Sequence, residues 1–372
     1  MESFTRASWM SEGDKGDYEI VKGATVVTPC VSVIVPVYNM NERGYLKPLI
    51  ASLKAQTLAN IEFILIDDCS TDDSLPVMCE LTKTDARFTV ISSKVNGRQG
   101  AARNKGLDVA RGQYIGFVDG DDVIDRTFFE WLYHLAVSDG LDIATAPFVL
   151  TDENLNISSD LIWQFDRGLT VGDYDDCLPE LILHPAHIVL SIYSSRLFNN
   201  GMTRFPENVY FEDNPTALRL LCLADSVGLL PESRDVPKYY YRQHATSTDH
   251  RIDNLIVQIR DRVVTSDFIM EDARATGYLR RSEEAIGLYY LKICLLNTAS
   301  KIALFDSWSK RKEAIVRVRN HVAAQVTLDI GGPVFKELGL KERASFVCAT
   351  KLPNFYVQLL HVWLAAKREQ DY

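Results

Sequence analysis

The sequence has no C-x-x-C pair, and its seven cysteines (Cys30, Cys69, Cys79, Cys177, Cys222, Cys294, Cys348) are scattered without pattern. An odd, unpatterned set predicts neither a disulfide framework nor a cysteine zinc site, and it suits a reducing cytoplasm. Positive charge is also short: 40 Lys and Arg stand against 50 Asp and Glu, a formal net charge of -10. That balance argues against a general nucleic-acid binder, which would carry a basic face. It leaves room for an anionic substrate, because local charge and metal matter more than the total. No apolar run approaches the roughly 18 residues that span a bilayer. The first thirty residues hold no apolar core of the secretory kind, so a soluble or at most peripheral protein is expected. A glycine-rich phosphate loop is missing too. There is no G-x-G-x-x-G after the first apolar run and no G-K-[ST] anywhere, which removes the main support for dinucleotide oxidoreductases and P-loop enzymes. Internal repeats and low-complexity tracts are absent.

What is there is ordinary in amount and regular in order. The 47% apolar fraction of the 372 residues can fill a sizeable core. The length predicts two domains, or one with a large extension. After a polar lead-in, residues 1–29, strands and helices alternate. Strands are predicted at 31–35, 61–66, 88–91 and 113–118, and helices at 45–56, about 70–83 and 100–110. This rhythm means βαβ units and a mainly parallel sheet. Beyond 130 it loosens, with a helix at 128–137, a strand at 143–149 and a helix at 214–223. From about 254 the pattern is helical, with a boundary near 250. The expected organisation is therefore a domain over 30–250, made of halves 30–130 and 131–250, and a helical region over 251–372.

The most informative stretch is Asp119-Gly120-Asp121-Asp122, directly after the apolar run Tyr114-Ile115-Gly116-Phe117-Val118. Three carboxylates where a buried strand surfaces repel one another unless something positive sits among them. Mg²⁺ and Mn²⁺ take oxygen ligands and are often held by one or two carboxylates together with substrate phosphates. The plain alternative is an acidic turn capping the next helix. Three other strand ends are polar as well: Pro36-Val37-Tyr38-Asn39, Asp67-Asp68 and the segment leading to Asn96. Each alone reads as a turn or a cap. Parallel strands bring all four to one sheet edge, where open α/β sheets bind ligands. Arg103, then Arg242 and His244, are the cationic candidates for a diphosphate.

Four segments in this order, Val-Ser-Val-Ile-Val-Pro-Val-Tyr-Asn, Ile-Asp-Asp-Cys-Ser-Thr-Asp, Gly-Ala-Ala-Arg-Asn-Lys-Gly-Leu and Tyr-Ile-Gly-Phe-Val-Asp-Gly-Asp-Asp, resemble those of family 2 glycosyltransferases. The likeness covers about 31–130 and extends more weakly to about 250, through Phe211-Glu212-Asp213 and Tyr240-Tyr241-Arg242-Gln243-His244. It implies an α/β fold of GT-A type, a Rossmann-like mainly parallel sheet flanked by helices, with a helical C-terminal extension. It also implies an inverting enzyme that uses a nucleotide-sugar donor and a divalent metal, Mn²⁺ or Mg²⁺. Residue by residue, Pro36 and Tyr38 would line the base pocket, and Asp67 would accept the imide proton of uracil. Asn96 and Arg103 would help hold the nucleoside. Asp119 would meet ribose or metal, Asp121 would be the main metal ligand, and Asp122 would support that shell or reach the sugar. Gly120 stands where serine is common, which keeps the carboxylate spacing. Asp213 would be the catalytic base with Glu212 beside it, while Arg242 and His244 would meet the diphosphate or the metal.

An inverting transfer needs a base on the acceptor side and charge neutralisation on the leaving side. The expected function is transfer from a UDP-sugar, as hexosyl or N-acetylhexosaminyl donor, to a glycan, polyol-phosphate or lipid-linked acceptor in cell-surface polysaccharide synthesis. A nucleotidyltransferase would open with a Gly-rich basic loop, which Pro-Val-Tyr-Asn is not. A catalytically silent nucleotide-sugar-binding or scaffold module fits poorly with the complete acidic set. No nucleic-acid partner is expected. The run Phe355 to Ala366, apolar on most faces and flanked by Lys351, Lys367 and Arg368, leaves two readings open. It is a helix docked on the protein or on a second copy, or an interfacial helix on the inner face of the cell membrane.

Overall fold

In a computed structural model of the chain, the described residues are 17–163, 174–185, 187–201, 203–230, 235–244 and 254–370. The chain divides into two compact units, one formed by Met1–Tyr174 with His184–Ala245, the other by Asp175–Leu183 with Thr246–Tyr372. The boundary expected near residue 250 lies outside the described residues. The second unit also takes in residues 175–183, which sequence periodicity did not attach to it.

Among the described residues the first unit holds eleven strands, β1 (Tyr18–Lys22), β2 (Val31–Val37), β3 (Ile61–Asp67), β4 (Phe88–Ser93), β5 (Tyr114–Phe117), β6 (Val123–Ile124), β7 (Ile143–Thr145), β8 (Phe148–Thr151), β9 (Ser191–Ser194), β10 (Val227–Leu229) and β11 (Tyr239–Arg242). Eight of them make one sheet in the order β1-β4-β3-β2-β5-β9-β7-β10, and a second sheet runs β6-β11-β8. Strands β4, β3, β2 and β5 pair in parallel. Every residue of β2 and β3 is buried, as expected of strands covered on both faces. Helices α1 (Leu46–Lys54), α2 (Ser74–Thr82), α3 (Arg98–Val109) and α4 (Phe128–Asp139) follow these strands. The α/β, GT-A-type expectation therefore holds.

Two expectations need correction. Residues 18–22, assigned to the polar lead-in, form β1, which pairs antiparallel with β4 from Tyr18↔Ser93 to Lys22↔Val90. Lys22 Nζ ties this edge strand down by donating to the carbonyls of Asp85 (2.7 Å) and Phe88 (2.9 Å). The single strand expected at 143–149 is two strands, with β7 in the large sheet and β8 in the small one.

The second unit is helical: most of α5 (Tyr174–Leu183), α7 (Leu255–Thr276), α8 (Glu283–Leu291), α9 (Thr298–Ile302), α10 (Trp308–Gln325), α11 (Pro333–Glu337), α12 (Leu340–Lys351) and α13 (Pro353–Gln370). A π-helical stretch, Lys292–Asn297, joins α8 to α9. The remaining helix, α6 (Asp213–Leu223), belongs to the first unit.

Candidate active site

Parallel pairing sets Val37 beside Asp67, and Asp67 beside Ser92. The carboxyl ends of β2, β3 and β4 thus share an edge, and β5 joins it through Ile34↔Phe117. The loops after β2 and β3 interlock there. Asn39 Nδ2 donates to Thr71 Oγ1 (3.0 Å), Thr71 N–H donates to Asn39 Oδ1 (2.8 Å), and Asp72 accepts from the amides of Asn41 and Glu42. Asn39 and Cys69 sit at positive φ, +53° and +60°, which an asparagine accepts more readily than most residues.

The expected nucleoside side shows one open ring and one unsatisfied acid. Pro36 is buried in β2, and Tyr38 is 43% exposed. Asp67 is buried, one oxygen accepting from Ser70 N–H (3.2 Å), and its Oδ1 has no hydrogen-bond partner. Burial pushes its pKa up. Asn96 is exposed and donates to the carbonyl of Asp68 (3.0 Å), while Asp68 Oδ1 accepts from Gly97 N–H (3.1 Å).

The tetrad lies against the end of β2. A Cβ on Gly120 would stand 2.8 Å from the Pro36 carbonyl oxygen, too close for backbone that cannot swing aside. Glycine therefore matters for close approach as well as for carboxylate spacing. Each of the three aspartates has different partners. Asp122 is 2% exposed; its Oδ2 accepts from the Tyr239 hydroxyl (2.7 Å) and its Oδ1 from Arg242 N–H (2.7 Å). Burial first, then the neighbouring Asp121 and Asp119, raise its pKa well above the usual carboxylate range. Asp125 binds the same segment, accepting from Lys238 N–H (2.9 Å) and the Tyr240 hydroxyl (2.9 Å). These two acids hold β11 so that Arg242 and His244 arrive beside the tetrad.

Asp121 Oδ2 lies 2.7 Å from His244 Nε2, with the Asp121 side chain 23% exposed. Arg242 is buried, stacks 4.3 Å above the Tyr45 ring, and donates one bond from Nη1 to the Glu153 carbonyl (2.9 Å). Its Nε and Nη2 are buried without a hydrogen-bond partner. An unsatisfied buried guanidinium is costly unless an anion completes it.

Asp119 faces a different partner. Arg103, expected at the nucleoside, is 2% exposed and donates to Asp119 Oδ1 from Nη2 (2.8 Å) and to Glu212 Oε1 from Nη1. Burial pushes the Glu212 carboxyl up to about 7, with Arg103 pulling it down and Asp213 pushing it further up. Helix α3 also holds the chain that carries the acids. Asn104 exchanges two 2.9 Å bonds with the Phe205 backbone, and Asn208 N–H donates to the Gly97 carbonyl (3.2 Å). A Cβ on Gly100 would fall 2.1 Å from the Pro206 carbonyl oxygen. Phe211, at φ +65°, turns the chain into α6, where Asp213 is half-buried in the first turn. Sequence reasoning missed Gly100, Asn104, Tyr45 and Tyr239; the first two sit inside the Gly-Ala-Ala-Arg-Asn segment it quoted.

Among the described residues, no group of three or more His, Cys, Asp or Glu is arranged to hold a metal ion. Asp121 and His244 converge as a pair, and Asp119 is engaged with Arg103. A carboxylate oxygen and an imidazole nitrogen are donors that Mn²⁺ accepts, and Mg²⁺ accepts the first. The pair fits a metal whose remaining ligands are phosphate oxygens and water.

A mainly parallel sheet flanked by helices, with carboxylates along one edge, is an arrangement of GT-A type. Residues 32–175 match the model described as glycosyl transferase family 2. The uncharacterized glycosyltransferase EpsJ of Bacillus subtilis is 34% identical over 224 residues, 59% of this chain and 62% of that protein. This chain therefore spans less than two thirds of EpsJ. The putative glycosyltransferase EpsH of the same organism is 29% identical over 300 residues, 75% of this chain and 81% of that one. Over residues 32–175 the chain is similar to the family 2 glycosyltransferases. In fold it resembles S. aureus TarS 1-349 solved with UDP-GlcNAc, at TM-score 0.64 and 18% identity over 91% of this chain and 92% of that one. It also resembles the mannosyltransferase PcManGT of Pyrobaculum calidifontis, solved with GDP-Man and Mn²⁺, at TM-score 0.51 and 15% identity over 92% and 90% of the two chains.

Proposed function

We propose that the protein is an inverting, metal-dependent glycosyltransferase that moves a hexosyl or N-acetylhexosaminyl group from a UDP-sugar. The acceptor is a glycan, polyol-phosphate or lipid-linked saccharide of cell-surface polysaccharide synthesis, reached from the cytoplasm. Residues 30–130 bind the donor, 131–250 form the acceptor half, and 251–372 make a separate helical region. The observation that carries this reading is the pair Asp121 and His244 beside a buried Arg242 with unpartnered N–H groups. A diphosphate supplies negative oxygens for the guanidinium and for a cation on the pair. The unpartnered Asp67 Oδ1 supports uracil, whose imide N–H is a donor. The UDP-GlcNAc named for TarS supports the same nucleotide.

In this reading Asp121 and His244 would hold Mn²⁺ or Mg²⁺, which when bound neutralises charge on the diphosphate. Arg242 orients the diphosphate, and Tyr38 and Pro36 cover the base. Asp213 accepts the proton of the acceptor hydroxyl as its oxygen bonds to the anomeric carbon and the sugar–phosphate bond breaks. Displacement from the opposite face inverts the centre. Glu212, buried against Arg103, positions that acid rather than reacting. Asp213→Asn should keep the thermal shift given by the UDP-sugar with Mn²⁺ and lose transfer by about 10²–10⁴-fold. Transfer near the wild-type rate would remove Asp213 from the base role. If no donor hydrolysis or transfer appears with or without Mn²⁺, the protein is a binding module.

A further inference from the structure

Helix α13 is apolar on two opposite sides. One side packs inside the second unit: Val357 is fully buried, Leu360 and Leu364 are half-buried, and His361 Nδ1 lies 2.7 Å from the Ala303 carbonyl. The other side carries Phe355, Leu359, Val362 and Trp363, exposed by 60, 55, 57 and 58%. Their spacing of four, three and one residues gathers them on one face, and exposed Ala366 extends it. An outward helix face on a solvated protein is normally polar, so something covers this one.

Charge identifies the cover. The chain is formally -10, yet from Arg343 to the end of α13 at Gln370 it has four cations, Arg343, Lys351, Lys367 and Arg368, against one carboxylate, Glu369. Helix α10 adds exposed Lys310 and Lys312 and a 45% exposed Trp308. Its Arg311 lies 6.0 Å from the Trp308 ring and donates to Gln358 of α13 (3.4 Å), so this basic helix start borders α13. A second copy docked through α13 by a twofold axis would bring more cations than acids to face one another, with Glu369 the one carboxylate of α13. No described helix is long and apolar enough to cross a membrane. We propose that α13 lies flat on an anionic phospholipid surface, with Phe355, Leu359, Val362 and Trp363 among the acyl chains and the flanking Lys and Arg at the phosphates.

The test is flotation of the full chain with phosphatidylcholine vesicles, with and without phosphatidylglycerol. The wild type should float with the anionic vesicles at low salt and fall away in high salt or with phosphatidylcholine alone. Leu359→Ser combined with Val362→Ser should lower the vesicle-binding constant by about tenfold or more. Both side chains are exposed, so the thermal midpoint and the UDP-sugar thermal shift should stay as in the wild type; the shift reports the donor site separately. The proposal is overturned if the wild type stays soluble beside anionic vesicles, or if the double variant floats equally well. It is also overturned if light scattering finds a dimer that the double variant splits, which would make a second copy the cover.

Discussion

The acidic tetrad serves two clusters that differ in how complete they are. Around Asp119, one arginine joins two carboxylates, Arg103 to Asp119 and Glu212; Arg103 and Glu212 are out of solvent and Asp119 is 20% exposed. Two positions on, Asp121 is partly exposed, its neighbour is a histidine, and the adjacent Arg242 has buried N–H groups with nothing to bind. The first cluster has its charges answered by the chain itself. The second leaves two guanidinium nitrogens of Arg242 that no described residue answers. Adjacent residues of one turn thus divide into a strut that holds the acid-bearing loop and, in the proposed reading, a receptor for an anion and its cation. Asp122, with both oxygens engaged, belongs to the strut.

The comparison breaks most visibly in stability. Arg103→Met leaves Asp119 and Glu212 buried without a counter-charge and should cost about 3–5 kcal/mol, read as a drop in the urea midpoint. Asp121→Asn should leave that midpoint nearly in place and cut turnover by about 10²–10³-fold, the size of losing one charge contact to the leaving group. Equal effects of the two substitutions on stability would erase the distinction. The smallest effect is a pH slope. Because the Glu212 carboxyl is pushed from 4.5 up to about 7 by burial, the folded state binds more protons than the unfolded one across that interval. Its contribution to stability is then present below the unfolded value and is lost as pH rises towards about 7. Urea midpoints of the wild type should therefore fall relative to Glu212→Gln between those values, and parallel curves would place the Glu212 titration elsewhere.

Much of the fold was legible because its strands are buried on both faces and read as continuous apolar runs. Residues 31–35, 61–66 and 88–91 were expected as strands, and the structure lengthens each by one or two residues. Strand β1 was not legible. It is five residues long and mostly exposed, and it exists through pairing with β4. Helix α12 lies in the stretch expected to be helical but was not singled out within it, since it buries only Phe346 and Ala349 and leaves no periodic stripe. Gly120 was expected only to keep the carboxylate spacing, because its close approach to a carbonyl 84 positions earlier, at Pro36, is not a local property.

Sequence alone determined the chemistry at the sheet edge: parallel strands ending in Tyr38, Asp67, Asn96 and Asp119–Asp122, with Glu212-Asp213 and Arg242-Gln243-His244 to follow. Local order sufficed, because strand periodicity and polar strand ends are properties of neighbouring residues. Only the tertiary structure decided who holds whom. Arg103 meets Glu212 across 109 positions, His244 meets Asp121 across 123, and Tyr239 meets Asp122 across 117. Nothing local marks such a pair, since any of several cations could answer any of these carboxylates. The choice is made by burial, where a charge out of water must have its partner within hydrogen-bond reach, and only the packed chain sets that distance.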